Sequence, residues 1–351
     1  MSLDVQNLLT TWSQTPSWSG FEFAFAQKLS ESWQAFADRS FLDRLGSLWV
    51  EQKGTVPNAP NIMLTAHMDA IGMMVRDIQD GFILLEQIGG IDARILPGSL
   101  VNIHTGSGIR LGVVATKPPH LQTGGEREQF SPLASLCVDC GLDPAVVEET
   151  IQIGDLISFA QKPFSLPREQ LVCPALDNRA SLAVISLVLE TLREYPHRAN
   201  VMAVATVQEE ETFAGAFTSS FATRPHLAIV IDVGWAKQPG LPDWQTFESG
   251  AGPTLGWGAN LHPILFQKIM KVAKNLELPL HKEFFPNHSG TDAFAIQTSG
   301  EGIPTALISI PLKNMHTPIE MVSIKDIRRA ARIISEFILS VDEHFLPQLA
   351  L

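Results

Sequence analysis

Five separated stretches of this sequence bring residues that bind cations or carry protons to the ends of apolar runs. NIMLTA is followed by His67 and, two positions on, Asp69. VMAVAT runs into Glu209, Glu210 and Glu211, HLAIVI ends on Asp232, and His316 lies a few residues beyond TALISIPL. Between them, ALDNRAS sets Asp177 just ahead of a helical pattern. Singly, each has an ordinary structural account. His67 suits a core or rim histidine, Asp177 a turn or helix N-cap, Asp232 a turn cap, and the glutamate run a solvated strand edge.

Together they are harder to place without a ligand. Carboxylates gathered on one sheet edge repel one another and are driven to protonate unless a cation joins them. Arg179 is the only basic residue close to these segments in sequence. Mixed imidazole and carboxylate donors without cysteine suit two divalent ions of the Zn, Co or Ni kind and a hydrolytic reaction.

Such ions stand about 3.5–4 Å apart and share a bridging carboxylate. Asp177, set between the other acids in sequence, is the candidate bridge. His67 and Asp232 are expected to complete one site, Glu210 and His316 the other. Asp69 is placed to accept from the second ring N–H of His67 and fix its tautomer. Glu209 stands beside a ligand without being needed as one, which fits a general base that takes a proton from water and returns it to a leaving amine. Glu211, or Asp292 in SGTD, is a candidate partner for a substrate amine.

The elements that must position these residues fall into two textures. FEFAFAQKLSESWQAFADR spaces apolar residues at three and four and predicts an amphipathic helix. From 72 to 164 the chain reads as short strands between Gly and Pro turns: GMMVRDIQ, GFILLEQIGG, SLVNIHTGSG, IRLGVVAT and GDLISFA. Beyond this block, near-continuous apolar strands alternate with helical segments such as SLAVISLVLETLREY and ILFQKIMKVAKNLEL. A closing amphipathic helix, SIKDIRRAARIISEFILSVDEHF, starts with Ser323 and Asp326 spaced like a capping box. That alternation predicts an α/β fold, a mostly parallel sheet covered by helices on both faces. The expected domains are a discontinuous catalytic one, 1–71 with 165–351, and an inserted small β domain over 72–164. Ligands of such a sheet bind beyond the carboxyl ends of its strands, where the residues above fall.

Composition narrows the partners. The 351 residues carry 37 acids against 25 Lys plus Arg, a formal charge of −12. A surface of that sign repels phosphate backbones and anionic lipid, so neither nucleic acid nor a membrane is expected as a partner. Neither a secretory leader nor a membrane-spanning run is expected from the pattern. Three cysteines, Cys137, Cys140 and Cys173, are too few for a disulfide framework, which points to a cytoplasmic protein with the CxxC of Cys137 and Cys140 incidental.

Eight motifs in order, TAHMDAIGMMV (65–75), GGIDARILPG (89–98), ALDNR (175–179), VQEEETFAGA (207–216), VIDVG (230–234), SGTDAFAIQ (289–297), GIPTALISIP (302–311) and MHTPIE (315–320), span most of the chain. In this the sequence resembles the M42 family of dinuclear metallo-aminopeptidases, the tetrahedral aminopeptidases, also labelled glutamyl or deblocking aminopeptidases and sometimes endoglucanases. The resemblance implies a zinc-peptidase-type catalytic domain with an inserted PDZ-like or β-barrel domain that serves oligomerisation and access control. It implies two Zn or Co ions per subunit on His67, Asp177, Glu210, Asp232 and His316, with Glu209 as base and a cis Asp177–Asn178 bond. It also implies homo-oligomers from dimer to dodecamer. Departures at Glu211–Thr212, VGWAKQPG, Lys313–Asn314 and Ser289 leave every ligand in place and bear on pocket walls.

The expected activity is metal-dependent removal of N-terminal residues from short peptides by a water bridged between two ions. The alternatives are a metal-dependent deacylase or amidase acting on N-acylated amino acids or small amides, and a non-catalytic binding protein. The intact set with Glu209 weighs against the last.

Overall fold

The computed structural model describes residues 3–127 and 130–350. The chain forms two compact units, one of residues 1–69, 163–315 and 320–351, the other of residues 70–162 and 316–319. It is an α/β protein.

The first unit is built on an eleven-stranded sheet. At its centre the strands Asn200–Thr206, Asn61–His67, Leu227–Trp235 and Thr305–Lys313 lie side by side and all run parallel. The near-continuous apolar runs are therefore the strands buried on both faces. Antiparallel strands extend the sheet on either side: Leu48–Gln52 pairs with Asn200–Thr206, and Met321–Ser323 with the end of Thr305–Lys313.

Side chains alternate between two cores. Ile62, Leu64, Ala66, Ala203, Ala205, Ile229 and Ile231 join the large core against the helices Leu176–Glu194 and Ile324–Ser340. Met63, Val204, Val230 and Leu307 join a smaller core on the opposite face with Ala293 and Ile296. Period-two alternation puts His67, Thr206 and Asp232 on that second face, the first two as the last residues of their strands and Asp232 three residues before the end of Leu227–Trp235.

Helix Leu176–Glu194 is buried around most of its circumference. Ile324–Ser340 is amphipathic, burying Ile327, Ile334 and Phe337. Ser323 occupies its N-cap position, but its side chain makes no capping bond. The capping-box reading is corrected here, because Asp326 is fully buried and accepts instead from the amides of Gly250 (2.6 Å) and Gly252 (2.8 Å).

The second unit is a closed six-stranded antiparallel barrel around its own core, with Met73, Leu85, Val101, Val114 and Ile157 among the buried residues. Four of the six strands correspond to the run of short strands between turns, and a fifth, Leu156–Phe159, to GDLISFA. The sixth, Cys137–Asp139, contains the first cysteine of the CxxC. Both of its thiols are free, and burial together with the Asp139 carboxylate pushes them above the ordinary thiol range, so neither is an activated nucleophile. Among the described residues, no helix is long and apolar enough to cross a membrane.

Candidate active site

His67 is the last residue of its strand and pairs in register with Thr206 of the neighbouring one. The ladder continues one step through Met68 N–H to Thr206 carbonyl at 2.8 Å, so the two strands leave the sheet together. The chain after Thr206 then turns sharply, with Gln208 in the left-handed region (φ 58°) and its carbonyl accepting from the amides of Thr212 and Phe213. Glu209 and Glu210 stand at this turn. On the other flank of His67, Asp232 projects from strand Leu227–Trp235 and takes its neighbour Val233 amide at 2.8 Å.

Asp177 arrives from a different element. It lies in the first turn of Leu176–Glu194, where Asp177 and Asn178 depart from helical dihedrals and the peptide between them is cis. Its amide donates to Glu320 Oε2 at 3.0 Å, and Asn178 Nδ2 donates to the carbonyl of Ile231 at 3.1 Å, which ties this turn to the strand bearing Asp232.

His67 is the hub. Its Nε2 stands 3.1 Å from Asp177 Oδ1, 3.7 Å from Asp232 Oδ1 and 3.9 Å from Glu209 Oε2. One donor atom each from His67, Asp177 and Asp232 falls within 4.8 Å of the others, and so does one each from His67, Glu209 and Glu210. His316 belongs to the 316–319 segment of the second unit, has a left-handed backbone (φ 61°), and its Nδ1 lies 2.8 Å from the carbonyl of Gly90.

Asp69 does more than its spacing suggests, its carboxylate facing His67 Nδ1 and the glutamate turn together. His67 Nδ1 is nearer the Asp69 carbonyl (3.1 Å) than its carboxylate (3.4 Å). The carboxylate, fully buried, spends its oxygens on the backbone of the glutamate turn: Glu209 N–H donates to Oδ1 at 3.0 Å and Glu210 N–H to Oδ2 at 3.1 Å.

Electrostatics at the site are dominated by burial of like charges. Burial, with Asp232, Asp292 and Glu210 nearby, holds the Glu209 carboxyl well above the ordinary range against the opposing pull of His67. Burial also raises Asp232, again against the pull of His67. On His67 burial opposes the charge, yet Glu209 and the hydrogen bonds to Asp177, Asp232 and Asp69 outweigh it and keep the ring protonated well above its usual range. Arg179, the basic residue nearest in sequence, points elsewhere: it donates to Thr15 carbonyl and Ser17 Oγ and lies over the Phe25 ring at 4.3 Å. One imidazolium faces several buried carboxylates. Such a donor set fits divalent cations, which would relieve the repulsion that burial otherwise imposes.

Asp292 is 1% exposed, receives the Thr206 hydroxyl at 2.5 Å, and burial pushes it up to about 7. That bond ties it to the end of the strand beside the one that carries His67. Glu211 is solvent-exposed. Glu22 was not legible as a site residue. It is 4% exposed, accepts from Gln208 N–H at 3.0 Å, and is pushed up to about 7 chiefly by burial. Glu320, the acceptor for the Asp177 amide, lies inside MHTPIE, where an acid so near a histidine is its one local signal.

The sheet gathers histidine and carboxylates where ligands of parallel α/β sheets bind. The family model described as M42 glutamyl aminopeptidase matches residues 46–333, and the chain belongs to this family of aminopeptidases. It is 34% identical over 326 residues to the lysyl aminopeptidase of Pyrococcus furiosus, covering 91% of this chain and 92% of that one. The crystal structure of a TET aminopeptidase from the marine sediment archaeon Thaumarchaeota archaeon SCGC AB-539-E09 superposes with a TM-score of 0.93 at 27% identity, covering 99% of both chains. The Pyrococcus horikoshii TET1 peptidase, which can assemble into a tetrahedron or a large octahedral shell, matches with a TM-score of 0.84 at 25% identity over 96% of this chain and all of the other.

Proposed function

We propose that this chain is a metal-dependent aminopeptidase that removes N-terminal residues from short peptides. The observation that carries the reading is the buried group of His67, Asp177 and Asp232 adjoining that of His67, Glu209 and Glu210, rich in carboxylates and poor in positive charge. His67 and Asp232 would hold one ion, Glu210 and His316 a second, and Asp177 would be shared. Zinc or cobalt suits these donors. Two such ions, when bound, supply Lewis acidity toward the scissile carbonyl and make water acidic enough to attack near neutral pH.

The remaining work falls to the chain's own groups. Glu209 sits beside the ligands with its carboxyl held well above the usual range, as a group needs to be if it is both to take a proton from the attacking water and to return it to the leaving amine. Asp69 fixes the amides of Glu209 and Glu210 and so sets where that carboxyl stands. Glu210 is thereby held beside Glu209 at the same turn. The barrel unit would serve assembly and control access, and the enzyme would work in the cytoplasm as a homo-oligomer, as the TET neighbours do in assembling.

Paired substrates test the reading. An aminoacyl anilide with a free amine should be hydrolysed, and its N-acetylated form should not. Preference for the blocked form would overturn the aminopeptidase reading and identify a deacylase.

A further inference from the structure

The turn that carries Glu209 and Glu210 hangs from two carboxylates rather than one. Asp69 takes the amides of Glu209 and Glu210, at 3.0 and 3.1 Å. Glu22 takes the amide just before them, that of Gln208, at 3.0 Å through Oε1. Three consecutive backbone donors therefore end on buried acceptors contributed from positions 22 and 69. Gln208 is also the residue whose left-handed backbone (φ 58°) makes the turn, so its orientation decides where the next two side chains point.

Glu22 has little other employment. It stands at the N-cap position of helix Phe23–Trp33 but makes no side-chain capping bond there. Its carboxyl takes two further amides, that of Gly20 at 2.8 Å and its own, both within its own loop. A carboxylate only 4% exposed, pushed upward chiefly by burial, is costly to keep unless its acceptor role repays it. The bond to Gln208 spans 186 positions of sequence and joins the start of the chain to the catalytic turn.

We infer that Glu22 is a positioning residue for the reaction, holding the Gln208 amide so that Glu209 presents its carboxyl to the attacking water. This rests on the assignment of Glu209 as proton carrier. The role is geometric: it needs an acceptor oxygen at the full reach of a glutamate side chain, not a negative charge. Replacement by Gln keeps that oxygen, whereas Asp keeps the charge but is one methylene short.

The test compares Glu22→Ala, Glu22→Gln and Glu22→Asp in the metal-loaded enzyme with an aminoacyl anilide. Misplacing a catalytic group by a fraction of an ångström to an ångström lowers turnover by roughly 10- to 100-fold. At saturating metal, Glu22→Ala and Glu22→Asp should lose that much in kcat with KM unchanged, and Glu22→Gln should stay within about threefold of the parent. If Glu22→Ala does not fold, the Asp and Gln pair carries the comparison. Full kcat in Glu22→Asp, or a Gln variant no better than the Asp one, overturns the inference. Glu209→Gln separates the two claims. If that variant keeps turnover, the proton-carrier assignment fails, whereas a dead Glu209→Gln beside an unimpaired Glu22→Asp removes the positioning role alone.

Discussion

The amide of Glu209 donates to Oδ1 of Asp69 at 3.0 Å, and both residues are drawn from the carboxyl ends of adjacent parallel strands. The bond makes the position of the expected proton carrier a property of the sheet rather than of a loop. Asp69→Asn keeps one acceptor and turns an amide NH2 toward the other backbone N–H. Leaving one buried donor unpaired costs about 1–3 kcal/mol of stability, and the displaced turn should lower kcat roughly 10- to 100-fold. Steady-state kinetics with circular dichroism as a folding control checks this, and parental kcat in a folded variant would contradict it.

Glu22 makes stability depend on pH. Its carboxyl is pushed from 4.5 up to about 7 in the folded chain, chiefly by burial. The folded state therefore binds more protons than the unfolded one between those values, and stability falls as pH rises across that window. The contribution is fully present below about 4.5 and lost through about 7. Glu22→Gln removes the titration, so the variant should gain stability relative to the parent between pH 5 and pH 8, read as urea midpoints. A constant difference across that range would count against the assignment.

Cation binding should be linked to a proton on His67. The surrounding carboxylates hold the ring protonated well above its usual range, outweighing burial. A ligating imidazole must be neutral, so binding releases that proton and affinity climbs as pH rises. Calorimetry of Zn binding in buffers of different ionisation heat should show proton release near neutral pH. Affinity that is flat between pH 6 and pH 8 would place the first ion elsewhere.

Gly215 permits a close approach behind the catalytic turn. A Cβ at this position would lie 2.4 Å from Val207 N and 2.6 Å from Val207 carbonyl oxygen, both backbone atoms that cannot swing aside. Gly215→Ala should push strand end 206–207 away and shift the Glu209 turn with it, lowering both the melting temperature and kcat. A folded variant with unchanged kinetics would show that the turn is positioned independently of helix Ala214–Thr223.

What the sequence disclosed follows from how local each signal is. Four strands buried on both faces read as uninterrupted apolar runs, and their ends could be searched for ligands directly. His67, Glu209, Glu210 and Asp232 were legible for that reason, and Asp177 because it opens a helix. Strands of three residues, such as Phe164–Leu166 and Met321–Ser323, have too little length to show a period, and Met321–Ser323 takes one of its partners, Gln170–Val172, from a distant part of the sequence. Glu22 was invisible on the same ground: nothing near position 22 announces the amide it accepts, 186 residues away. Asp326 shows the opposite failure, a local spacing that fits a cap while tertiary contacts with Gly250 and Gly252 claim the side chain.

Buried His67, Asp177, Asp232 and their neighbours are expected to hold divalent cations needed for N-terminal cleavage. The most direct measurement is metal content and turnover of a free-amine aminoacyl anilide on one preparation, before chelation, after it, and after Zn or Co is restored. Up to two ions per chain are expected, with turnover lost on their removal and recovered on their return. Undiminished turnover from fully metal-free protein would contradict that expectation.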